Sequence, residues 1–164
     1  MKSGHRPPLF ISTLPDVYEI DTSAWLNIDA RPDCEDVWGI IVALIECGRI
    51  VACAQVIDEM RNNPIWAARL QRYEVALRAG DEKSDDPEYL QHVGKITHAY
   101  PSMSRATGRR TPADPYVIAL AEREHYVVVA DESMKRPNRK IPGVCHQRGV
   151  RCITLAEFIE ETRK

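Results

Sequence analysis

The stretch Tyr126-Val127-Val128-Val129-Ala130 constrains the fold more than any other. It is uniformly apolar, with three β-branched residues in succession, which suits a strand buried on both faces. Strands of that kind belong to parallel sheets covered by helices on either side. Two acids, Asp131 and Glu132, follow at once, where such a strand would leave the core.

The rest of the chain supplies the partners this strand requires. Val17-Tyr18-Glu19-Ile20 reads as a first strand, followed by Asp21-Thr22-Ser23 and an apolar turn of helix. Val37, Trp38, Ile41, Leu44 and Ile45 recur at helical spacing over 35–47, and Gly48 ends that helix. Arg49–Cys53 is a second short strand, and Gln55–Met60 opens a helix interrupted at Asn62-Asn63-Pro64. Helices are predicted over Ile65–Arg78, Glu88–Tyr100 and Asp114–His125, with an acidic turn over Gly80–Pro87 and a polar loop over Pro101–Pro112. Asp114 is expected as the N-cap of its helix, with Pro115 at the first helical position. Arg151–Ile153 is a last strand and Leu155–Thr162 a terminal helix.

Strands alternating with helices predict an α/β domain with a mostly parallel central sheet. At 164 residues the chain has the size of one such domain, read as 17–164, after a flexible leader over 1–16 that carries Pro7, Pro8 and Pro15. A net charge of -2 argues against a generally basic nucleic-acid binder, so any such contact must come from local patches. No apolar run reaches the roughly 20 residues needed to span a bilayer, and the N-terminus does not read as a signal peptide. Five cysteines without tight spacing fit free thiols in a reducing cytoplasm. Cys145-His146 and Cys152 lack the paired spacing of structural zinc and read as small buried residues.

In open parallel sheets, ligands bind beyond the carboxyl ends of the strands. Asp21 stands there after the first strand, Glu59 on the helix after the second (with Asp58 competing for the same role), Asp114 at a helix start, and Asp131-Glu132 after the buried strand. Three have plain alternatives: a cap for Asp21, a solvated helix face for Glu59, a turn for Asp131-Glu132; for Asp114 the cap is a second job and not an alternative. Together they would repel one another unless a cation joined them. Hard divalent ions such as Mg²⁺ or Mn²⁺ take oxygen ligands and need only a few carboxylates. The chemistry this implies is metal-assisted hydrolysis of a phosphodiester.

The motifs Ile20-Asp21-Thr22-Ser23-Ala24, Val56-Ile57-Asp58-Glu59-Met60, Ala113-Asp114-Pro115-Tyr116-Val117-Ile118-Ala119-Leu120-Ala121 and Val128-Val129-Ala130-Asp131-Glu132 resemble those of PIN domains in order and spacing. The third motif and the stretch from Lys140 to Cys145 resemble a prokaryotic subgroup described only as a domain of unknown function. The resemblance implies a Rossmann-like three-layer α/β/α sandwich and a Mg²⁺- or Mn²⁺-dependent ribonuclease. It also implies a homodimer and a VapC-like toxin of a type II pair, held inactive by a cognate antitoxin. Asp21, Glu59 and Asp114 match the first three family acids. In the fourth motif Ala130 stands where the family has Thr, and Glu132 takes the acid position with Asp131 beside it. Thr22 and Ser23 match the supporting hydroxyl pair. On this reading Asp21 and Asp114, with Glu132, hold the metal, and Glu59 and Glu132 orient the attacking water.

An acidic pocket needs basic rims to hold RNA. Arg105, Arg109 and Arg110 precede Asp114, and Lys135, Arg136, Arg139 and Lys140 follow Glu132; a pair of solvated loops is the plain alternative. The helical stripe Trp66, Leu70, Tyr73 and Leu77 reads first as core, and otherwise as a groove for an antitoxin helix. A phosphotransferase of the haloacid-dehalogenase kind would need a second acid where Ser23 stands. A non-catalytic PIN-scaffold binding module and a housekeeping RNA-processing nuclease without an antitoxin remain alternatives.

Overall fold

Four short strands build the sheet: β1 (Tyr18–Ile20), β2 (Ile50–Val51), β3 (Val127–Val129) and β4 (Cys152–Ile153). They lie in the order β2-β1-β3-β4, with every neighbouring pair parallel. The computed structural model describes residues 15–81, 84–103 and 112–163. Arg105, Arg109 and Arg110, and the leader expected over 1–16 save for Pro15 and Asp16, lie outside the described residues.

Register brings the two central strands out level. Ile20 stands opposite Val129, and Val129 opposite Ile153. Asp21 and Ala130-Asp131 therefore leave the sheet side by side, as the amide of Asp21 donating to the Val129 carbonyl (2.9 Å) confirms. The buried strand anticipated over Tyr126–Ala130 is real, but its ladder pairs only three residues, all fully enclosed.

Eight α-helices are present among the described residues: α1 (Thr22–Asp29), α2 (Cys34–Glu46), α3 (Ala54–Met60), α4 (Pro64–Arg78), α5 (Pro87–Ala99), α6 (Asp114–Glu124), α7 (Ile141–Arg148) and α8 (Leu155–Thr162). Helices cover both faces of the sheet. Along β1, Tyr18 meets Phe158 of α8 edge-on, with ring centroids 5.0 Å apart. Glu19 points the other way, where the charge of Asp81 reaches it and its own reaches Tyr89 of α5. The alternation of a pleated strand separates the two environments.

Several local devices set these elements. Gly48 follows α2 at φ +68°, a left-handed value that glycine adopts without a Cβ penalty; its amide and that of Arg49 then reach back to Ile45 and Leu44. Asn63 caps α4 through the amides of Ile65 and Trp66, with Pro64 in the first turn. Thr154 and Glu157 form a reciprocal capping box on α8.

Two expectations need correction. Asp114 does not cap α6: Ala113 already has helical dihedrals and holds the N-cap position, so Asp114 is the first helical residue, Pro115 the second, and no side-chain cap bond forms. Helix α7 was not anticipated, because Pro142 and Gly143 depress helix propensity. Tertiary packing overrides that deficit by burying Ile141, Val144 and Cys145.

The stripe on α4 is core. Trp66, Leu70 and Leu77 are buried, and half-buried Tyr73 meets Trp38. Trp66 contacts Trp25 of α1 and Trp38 of α2 edge-to-face, at 5.3 and 5.6 Å. Trp25 in turn donates its indole N–H to the Ile20 carbonyl at 2.8 Å. This aromatic cluster locks α1 against the end of β1, one residue before Asp21. Among the described residues, no helix is long and apolar enough to cross a membrane.

Candidate functional site

Asp21 is the N-cap of α1, and at 3% exposure its carboxylate is almost sealed. Its Oδ2 accepts from the Ser23 amide (3.0 Å) and the Ser23 hydroxyl (2.7 Å). Capping and site membership therefore coincide in one residue. The Ser23 Oγ also accepts from the Asp131 amide at 3.1 Å, tying the first turn of α1 to the end of β3. Burial pushes the Asp21 carboxyl up to about 6; the Ser23 bonds oppose that, and the Glu132 charge adds to it.

Glu59 faces the same end of the sheet from α3. Its Oε2 accepts from the Thr22 hydroxyl at 2.5 Å and its Oε1 from the Ala113 amide at 3.1 Å. One carboxylate thus fastens the start of α1 to the start of α6. Asp58 is exposed and pairs with Arg61, so of the two neighbours Glu59 belongs to the site.

Asp114 sits at the first position of α6, partly enclosed. Its carboxyl is pushed up to about 8, first by burial and then by the charges of Asp21, Glu132 and Glu59, while Lys140 eases it down. The charges of the other three acids thus converge on Asp114. No described residue donates a hydrogen bond to the Asp114 side chain.

The fourth motif divides its two acids. Asp131 is exposed, accepts from the Asn27 side chain at 2.8 Å and lends its charge to Arg31. Glu132 faces Asp21 and Asp114. Its Oε1 accepts from the Lys140 ammonium at 2.8 Å and its Oε2 from the Ile141 amide at 3.1 Å.

The donor set fits a hard divalent cation in kind: all four groups are carboxylates, and two are held against their own ionisation. Asp21 and Asp114 are the pair whose repulsion a cation would relieve. Among the described residues, however, no three Asp, Glu, His or Cys side chains converge closely enough to enclose a metal as they stand. Glu59 and Glu132 each have both oxygens engaged by protein donors.

Two acids escaped the sequence reading. Glu19, fully buried in β1, has neither carboxylate oxygen in a hydrogen bond among the described residues. Burial, then the charges of Asp81 and Asp21, push its carboxyl well up. The Cys53 thiol and backbone lie near enough to ease this slightly without reaching hydrogen-bonding geometry. Asp81, 4% exposed, accepts from the Ala54 amide at 3.1 Å through one oxygen and leaves the other unpartnered. An acid inside the apolar run Val17–Ile20 was the available signal.

Of the anticipated rims, Lys135, Arg136 and Arg139 are exposed and make no ion pair with any described residue. No curated protein matches the chain. Residues 18–164, from the first strand through the last helix, match the family described as a domain of unknown function (DUF4411). With nearly the whole length matched, site included, the chain belongs to the DUF4411 family.

Proposed function

We propose that the protein is a Mg²⁺- or Mn²⁺-dependent ribonuclease on a PIN-like three-layer α/β/α scaffold. The observation that carries this reading is the placement of Asp21, Glu59, Asp114 and Glu132 at the carboxyl edge of a parallel sheet, with Glu59 bonded to the starts of α1 and α6 and burial raising Asp21 and Asp114. Asp21 and Asp114 would hold the cation. When bound, it would polarise a phosphodiester oxygen and make a water nucleophilic near neutral pH. Glu59 keeps α1 and α6 in register through Thr22 and Ala113, so that the two aspartates stay paired. Ser23 aims the Asp21 carboxylate. The exposed Lys135, Arg136 and Arg139 would bind RNA backbone phosphates, with affinity falling as salt rises.

A toxin role with a cognate antitoxin and a homodimeric state follow from the motif resemblance and are proposed on that basis alone. One observation favours a second reading, a non-catalytic RNA-binding module: the engagement of Glu59 and Glu132 by protein donors, which leaves no preformed three-acid cage.

Cleavage of total RNA by purified, partner-free protein separates the two. Discrete fragments in Mg²⁺ or Mn²⁺, absent in EDTA and from the Asp21→Asn and Asp114→Asn variants, are expected. Folded protein that binds RNA yet cuts none of it under either metal would replace the nuclease with the binding module.

A further inference from the structure

We propose that Lys140 is a substrate-contacting residue of this site, its ammonium meeting the phosphate under attack, and that Glu132 positions Lys140 instead of binding the metal. This rests on the ribonuclease reading above and assigns a separate role within it.

The first support is the saturation of Glu132. One oxygen takes the Lys140 ammonium at 2.8 Å, and the other takes the amide of Ile141, the first residue of α7. A carboxylate already satisfied by a cation and a helix N-terminus has little to offer a metal. Its geometry is that of a bracket holding an ammonium beside the acids.

The second is the place of the ammonium. Glu132, which holds it, follows Asp131 at the end of β3, and the Asp131 amide is fastened to Ser23 beside Asp21, so Lys140 is carried to the edge of the sheet where the acids stand. A phosphodiester entering this site meets several carboxylates and needs a positive group on the side away from the aspartates. Negative charge on the phosphoryl oxygens must be met in the transition state, and a fixed donor there is worth most. No bond is made or broken at Lys140.

The third is the scaffold beneath the side chain. A Cβ on Gly143 would lie 2.3 Å from the Pro137 Cα and 2.4 Å from its carbonyl oxygen, so α7 touches the loop backbone directly. Asn138 accepts from the Gln147 side chain at 2.8 Å, and the Arg139 amide donates to the Arg136 carbonyl at 2.9 Å. Arg136 adopts φ +61° within this turn. The backbone carrying Lys140 is thus held from three directions, while its side chain remains 43% exposed, so the ammonium can meet a substrate with a second N–H and keep its bond to Glu132. Lys135, Arg136 and Arg139 share the loop and would guide the RNA strand toward it.

The test compares wild type with Lys140→Met, Lys140→Arg and Glu132→Gln. It reads kcat and KM for RNA cleavage and, separately, Mn²⁺ affinity of the RNA-free protein by titration calorimetry. Lys140→Met should lower kcat about 100-fold, the usual effect of losing one transition-state donor. Its Mn²⁺ affinity should be unchanged or tighter, because a competing cation is gone. Lys140→Arg should restore part of kcat. Glu132→Gln should lower kcat with Mn²⁺ affinity kept within a few-fold. Full activity of Lys140→Met beside an active wild type overturns the assignment and leaves the nuclease reading intact. A tenfold or greater loss of Mn²⁺ affinity in Glu132→Gln makes Glu132 a ligand and equally overturns it. A wild type that cuts no RNA under any metal sinks both.

Discussion

Glu19 inside β1 and Asp21 just past its end stand two residues apart, both almost wholly enclosed, yet their surroundings differ in kind. Asp21 lies where the strand ends, and the opening turn of α1 turns an amide and a hydroxyl toward it. Glu19 lies inside the ladder, where strand amides are already committed, and neither of its oxygens finds a donor among the described residues. Asp21 is raised only to about 6, whereas Glu19 is raised well above the ordinary range by burial and by Asp81 and Asp21. Burial raises both acids, and the Ser23 donors hold Asp21 back.

The largest expected effect is on the sealed side. In the unfolded chain Glu19 ionises at its ordinary value of 4.5, and in the fold it keeps its proton to higher pH. The fold then binds the extra proton, so this contribution is complete below pH 4.5 and falls by about 1.4 kcal/mol per pH unit above it, until the folded pKa is passed. Glu19→Gln should make the fall of the urea-unfolding free energy above pH 4.5 shallower than in wild type. Superimposable slopes for wild type and variant would erase the distinction drawn here.

The next effect belongs to the open side. Asp21 and Asp114, raised from 3.8 to about 6 and about 8, also stabilise the fold fully below 3.8 and lose that contribution as pH rises through 6 and 8. Mn²⁺ should compensate there, and only there. At 100 times its dissociation constant and pH 8 it should add about 2.7 kcal/mol to wild type and to Glu19→Gln. Asp114→Asn should not respond, and an equal Mn²⁺ response in that variant would move the cation elsewhere.

The smallest effect sharpens the reason for the contrast. Ser23→Ala removes the hydroxyl bond to Asp21 and the acceptor of the Asp131 amide, and should cost about 1 kcal/mol. It should also shift the onset of Mn²⁺ binding to higher pH, because the Asp21 carboxyl would rise further. An unchanged onset would mean that the amides alone keep Asp21 ionisable.

Most of the frame was legible because it rests on periodicity. The run at 126–130, the stripe on α4 and the ends of the first two strands declare themselves through apolar spacing. Three features were not legible, each for its own reason. Helix α7 is carried by the burial of Ile141, Val144 and Cys145 against a poor local preference. The separate duties of Asp131 and Glu132 depend on which neighbour each meets, Asn27 on one side and Lys140 on the other, and both partners are placed by tertiary structure. The start of α6 moved by one residue because Ala113 is anchored on Glu59, a contact across 54 positions of chain. Motif spacing marked the acids, but their division into carboxylates raised by burial and carboxylates saturated by donors required geometry.

The strand order carries a consequence for the timing of synthesis. Strand β1 is made first and lies second in the sheet, and one of its two neighbours comes from residues 127–129. The Val129 carbonyl that anchors Asp21, the Asp131 amide that braces Ser23 and the Lys140 ammonium beside Glu132 all follow by more than a hundred positions. A nascent chain on the ribosome therefore carries Asp21 for most of its elongation without the contacts that turn it into a site. Assembly waits for a non-local closure. The acidic centre is therefore completed only once residues 127–141 have joined the first strand.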